Sequence, residues 1–111
     1  MTATLMALYR RPDSDEALER FRQRYAAEHL PLIRQVPGLR SLHVARVTEA
    51  WGQSDLMMVA RMVFDDRPAL DVALASEPMR AAGRNLREIA PGMATTVVVE
   101  PDDEMDPGGA G

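Results

Sequence analysis

Asp55-Leu-Met-Met-Val-Ala-Arg-Met-Val-Phe64 decides the architecture of this chain. Side chains alternate between the two faces of a strand. Leu56, Met58, Ala60, Met62 and Phe64 therefore share one face, and Met57, Val59 and Val63 share the other. Only Arg61 interrupts. A strand that is apolar on both faces must be covered on both.

The flanking sequence supplies the partners. Ala50-Trp-Gly-Gln-Ser54 is a short loop, and before it Leu39–Glu49 carries Leu42, Val44, Ala45 and Val47. The two runs read as an antiparallel hairpin. The apolar run Thr2–Arg10 is a first strand. Asp13 and Glu16 have the spacing of a capping box, followed by Leu18, Phe21, Tyr25 and His29 at helical steps. Pro31 should end or kink that helix near His29–Leu30, and Pro37-Gly38 closes a further turn. Downstream, Pro68 opens a second helix and Ser76 caps its continuation, with Met79, Ala82, Leu86 and Ile89 on one stripe. Pro91-Gly92 stops it, and Met93–Glu100 with Val97-Val-Val is a fourth strand.

The order is β-α-β-β-α-β. It predicts a ferredoxin-like α+β fold, a four-stranded antiparallel sheet with the helices on one face. The third and fourth strands are apolar on both faces, so one chain leaves a face uncovered. A second copy stacked sheet to sheet, a homodimeric α+β barrel, would cover it.

With 111 residues the chain has the length of one domain, residues 1–100, followed by an acidic Pro/Gly-rich tail over 101–111. Its 13 basic and 17 acidic side chains give a net charge of −4. Five of the acids lie from Glu100 onward, which leaves residues 1–99 near neutral. That balance points away from nucleic acid, and the tail reads as a disordered solubiliser. Cysteine is absent, which excludes disulfides, thiol nucleophiles and cysteine-held metals. Every basic residue is arginine, which excludes lysine Schiff bases. No apolar run approaches the ~18 residues of a membrane span. The start lacks the charged stretch of a signal peptide, so the expectation is a cytoplasmic protein.

No nucleotide loop, nucleophile elbow or H-E-x-x-H motif occurs. The candidates are single residues. His29, on the apolar stripe, is either a packed histidine stacked on Tyr25 with a nitrogen on a helix-end carbonyl, or a general acid/base. His43 lines a pocket only if Ser41, His43 and Ala45 face the space between the sheets. Arg61 is either paired with Glu49 or Asp55, or anchors an anionic or carbonyl-bearing ligand. Tyr9 and Trp51 are possible pocket aromatics. Glu28 and Glu49 have no metal-ligand spacing relative to the two histidines, and neither a metal nor a cofactor is expected.

Three pieces together, Leu8-Tyr-Arg-Arg-Pro12, Tyr25…Glu28-His29-x-Pro31-Leu32 and Pro37-Gly-Leu39, resemble the EthD family over about residues 3–100. That resemblance implies a small dimeric α+β barrel. It implies a catalytic role for His29; from the reading of the residues above, Tyr9, His43 and Arg61 are the expected substrate contacts, with Arg61 or His43 stabilising developing oxyanion charge. Where relatives often place an aromatic, this chain has Leu42. The expected function is a cofactor-independent isomerase, cyclase or dehydratase for a small apolar or aromatic oxygenated metabolite. The alternatives are a non-catalytic accessory or binding protein and a cofactor-free monooxygenase.

Overall fold

Residues 1–106 are described by the computed structural model. Four strands, Ala3–Arg10 (β1), Ser41–Arg46 (β2), Leu56–Phe64 (β3) and Ala94–Val99 (β4), form one sheet in the order β2-β3-β1-β4. All neighbours are antiparallel. This is the ferredoxin-like arrangement that the sequence predicts.

The helices lie on the face made by Ala3, Leu5, Ala7 and Tyr9 of β1 and Met58, Ala60, Met62 and Phe64 of β3, all buried. Two packed clusters share that layer. Phe64 and Leu70 anchor one, and Tyr9, Phe21 and Tyr25 the other. The opposite face carries Thr4, Met6, Leu8, Val59, Val63, Val97 and Val99, aligned in register. Among the described residues no helix covers it, and Val97 and Val99 remain about 40% exposed.

The first helix, Asp15–Arg24 (α1), starts one residue later than a cap at Asp13 requires. Ser14 is the cap. Its backbone is extended, and its Oγ accepts from the Ala17 amide at 3.1 Å. Asp13 sits one residue outside the first turn, so the Asp13–Glu16 box does not form.

The chain does not stop at Pro31. It passes through a π turn, Tyr25–His29, in which the Leu30 amide donates to the Tyr25 carbonyl, and resumes as Leu30–Ile33 (α2). In an unbroken α-helix the Pro31 ring would strike the Ala27 carbonyl, and Pro31 has no amide to donate. Widening the turn relieves both conflicts. Gly38, at φ +77°, then makes the tight turn into β2.

After β3, Asp66 caps Arg67–Leu74 (α3), accepting from the Ala69 amide at 2.9 Å, with Pro68 in the first turn. Ser76 caps Glu77–Ile89 (α4) as expected. Past β4, Asp102 holds a local turn through the Glu104 and Met105 amides. Of the acidic tail expected over 101–111, residues 107–111 lie outside the described residues.

Leu70 is fully buried, whereas Val72 on the same helix is 65% exposed. Leu70→Ala should cost about 2–5 kcal/mol of unfolding free energy, and Val72→Ala less than about 0.5 kcal/mol. Urea denaturation reads both. Equal costs would contradict the helix–sheet packing.

Candidate active site

Phe21, Tyr25, His29 and Ile33 recur every four residues, and all are buried. In a regular α-helix each step of four drifts about 40° past a full turn, so the stripe would rotate about 120° away from the sheet by Ile33. The π turn absorbs that drift. It keeps His29, which is only 4% exposed, over the sheet. Its ring stacks on Tyr25 with centroids 5.1 Å apart and planes 28° apart. Tyr25 in turn meets Tyr9 edge-on at 5.5 Å and lies 5.3 Å from Phe21.

His29 Nδ1 lies 3.3 Å from Asn85 Oδ1 of α4. Asn85 cannot turn over freely, because its Nδ2 donates to Glu28 Oε1 at 2.9 Å. A carboxylate only accepts, so the amide nitrogen must face Glu28 and the amide oxygen must face His29. The proton of the neutral imidazole therefore sits on Nδ1, and Nε2 carries the lone pair. Glu28 is itself clamped. Arg24 grips it at 2.7 and 3.0 Å and also reaches Glu88 at 2.8 Å.

Burial lowers the His29 pKa from its ordinary value, with the Asn85 hydrogen bond opposing in part. The imidazole is thus neutral at pH 7. Glu28 is held below the usual carboxylate range, chiefly by its hydrogen bond to Arg24. Burial raises both the Tyr9 and the Tyr25 hydroxyls above their ordinary value. They stay protonated.

Between this side of the sheet and α4 lies a cavity of about 180 Å³, walled by apolar side chains including Leu5, Ile33, Met62 and Leu86. Its polar lining residues are Tyr9, His29 and Thr96. Among the described residues no hydrogen bond uses His29 Nε2, and no buried side-chain nitrogen is left without a partner. Nε2 therefore keeps some accessible surface, and His29 is one of the residues that line this cavity.

Of the residues singled out from the sequence, Tyr9, His29, His43 and Arg61 fall into two pairs. Tyr9 and His29 come together on the helix side. His43 and Arg61 stand directly opposite one another in the β2–β3 register, on the open face. Within one chain a molecule held at His29 meets neither. Arg61 makes no ion pair with Glu49 or Asp55, because its side chain projects from the open face while those acids lie in the connection between β2 and β3. Trp51, in the connection between β2 and β3, is 88% exposed. His29 stacks on Tyr25 as expected, but its nitrogen partner is Asn85 and not a helix-end carbonyl. Asn85 carried one signal in the sequence: it is a polar residue inside the Ala82–Leu86–Ile89 stripe. Among the described residues no three His, Asp or Glu side chains form a metal-holding group.

No family model and no curated protein matches the chain. Among solved structures, an ethyl tert-butyl ether D (EthD) family protein from Bacillus halodurans C-125 superposes with a TM-score of 0.80 at 29% identity. The match covers 92% of this chain and 100% of that one. The chain is similar to the EthD family. A dimeric ferredoxin-like protein of unknown function from Jannaschia sp. CCS1 shares 18% identity, with a TM-score of 0.66 over 91% of this chain and 100% of that one. SnoaB, a cofactor-independent oxygenase from Streptomyces nogalater, also shares 18%, with a TM-score of 0.56 over 91% and 93%. The last two likenesses concern the fold of this EthD-like chain. No helix in the described residues is long and apolar enough to cross a membrane.

The lowered His29 pKa makes stability depend on pH. Between the folded value and about 6.5 the unfolded chain binds more protons, so stability rises with pH across that window. This contribution is complete above about 6.5 and is lost as pH falls through the folded value. His29→Gln should flatten that slope in urea titrations, leaving the carboxylate-linked loss at lower pH. An unchanged slope would assign it elsewhere.

Proposed function

We propose that this EthD-like chain is a cofactor-independent enzyme that moves a proton on a small apolar or aromatic oxygenated metabolite, with His29 as general base and then acid. One observation supports the reading: a buried imidazole, held at Nδ1 by an Asn85 amide that Glu28 orients, lines a largely apolar cavity. The cavity, about 180 Å³, suits a molecule of one-ring size, since a cavity of about 150 Å³ accepts benzene.

The chemistry needs no co-reactant. His29 Nε2 takes a proton from a C–H or O–H beside the oxygenated group, and the electron pair stays on the substrate. The resulting imidazolium keeps its Nδ1–H on Asn85, whose orientation Glu28 secures. Return of the proton to a different atom completes an isomerisation, and return to a leaving oxygen completes a dehydration. The walls around the intermediate are mostly apolar, which limits its contact with water. Tyr9 and Thr96 supply the other polar edges of the pocket.

The working unit of this reading is a homodimer. The uncovered apolar face of the sheet supports it, and so does the description of similar folds as dimeric. Sedimentation at micromolar concentration should return two copies, and a lone chain at every concentration would refute this assembly.

Native mass spectrometry of protein purified gently from its own host should find a retained small molecule. With that molecule as substrate, His29→Ala should lower turnover by about 10²–10⁴-fold while leaving it bound. The wild-type kcat/KM should be flat above about pH 6.5 and fall below the depressed pKa of His29, where the base is protonated. Equal turnover in the variant would remove His29 from the chemistry. Retention without turnover by either protein would favour the accessory or binding role.

A further inference from the structure

The open face of the sheet carries a charge that its surroundings do not answer. Across its middle, His43, Arg61, Met6 and Val97 form one row from edge to edge in strict register. The rows on either side, Ser41–Val63–Thr4–Val99 and Ala45–Val59–Leu8–Thr95, are uncharged. No aspartate or glutamate stands in these three rows. Arg61 takes part in no ion pair, and no side-chain hydrogen bond reaches it or His43 among the described residues.

Symmetry sharpens the problem. In a face-to-face dimer both copies present the same patch. Stacking therefore doubles the guanidinium and the imidazole and brings in no carboxylate from the sheet. A guanidinium enclosed without an anion is costly, yet it offers a planar fork of donors that fits an oxyanion edge.

Resting on the dimeric reading above, we infer that the space between the two sheets takes a small oxyanion, of the carboxylate, phosphate or sulfate type. Arg61 of each copy is its principal anchor, and His43 is a neighbouring donor. This site lies across the sheet from the His29 cavity, so it is separate from the proton-transfer chemistry. Its ligand ties the two copies together.

Sedimentation equilibrium on the full chain, with inorganic phosphate replacing chloride at matched ionic strength, tests this. Phosphate should tighten the dimer about tenfold once it exceeds its own dissociation constant about tenfold. Arg61→Met should still dimerise, since it places an apolar side chain on an apolar face, but should lose the phosphate response. Arg61→Lys, which keeps the charge without the fork, should show a weaker response than the wild type. A wild-type dimer indifferent to phosphate, or an Arg61→Met dimer with the full response, overturns the proposal. A second source of oxyanion is the acidic segment after β4. If a full-chain variant with Asp102, Asp103 and Asp106 changed to Asn and Glu104 to Gln responds to phosphate while the wild type does not, the chain's own carboxylates are the occupant and the free ligand is refuted. A monomer under all conditions would refute the dimeric reading itself, and the site with it.

Discussion

A four-residue repeat of buried side chains does not match a helix of 3.6 residues per turn. The candidate site depends on how this chain resolves the mismatch. Pro31 cannot continue the α ladder, and the strain is taken up one turn earlier as the π turn Tyr25–His29. The widening holds Phe21, Tyr25, His29 and Ile33 over the sheet together. Without it, burying Phe21 and Tyr25 would carry His29 away from the cavity. Placement of the histidine and the packing of the aromatic cluster are thus one event.

The second dependence is orientational. The ion pairs Arg24–Glu28 and Arg24–Glu88 are substantially exposed, and such pairs contribute little to stability alone. Their effect falls on Asn85. By fixing which end of the amide faces inward, they select the imidazole tautomer and leave Nε2 as the free nitrogen. Charge at the surface thereby defines proton chemistry in the interior, through an uncharged side chain.

The sheet separates two environments. Toward the helices it presents small residues and aromatics that leave an apolar cavity with few polar edges. Away from them it presents methionine and valine interrupted by Arg61 and His43. Alternation of side chains along a strand makes this division sharp, since neighbours in β3 such as Ala60 and Arg61 never share a face.

Periodicity and punctuation were sufficient to read the element order, the ferredoxin-like class and the double-sided β3, because these follow from local rules of alternation, helical spacing and proline or glycine breaks. Helix starts were legible to within a residue: Ser14 and Asp13 are both good caps, and only the backbone angles choose between them. His29 stood out by its chemistry and its stripe. Its environment did not, because Asn85 lies 56 residues away and meets it only when α4 packs beside the π turn. His43 and Arg61 were legible as anomalies, yet alternation names which residues share a face and not which face receives the helices. That choice rests on long-range packing, which no local pattern encodes.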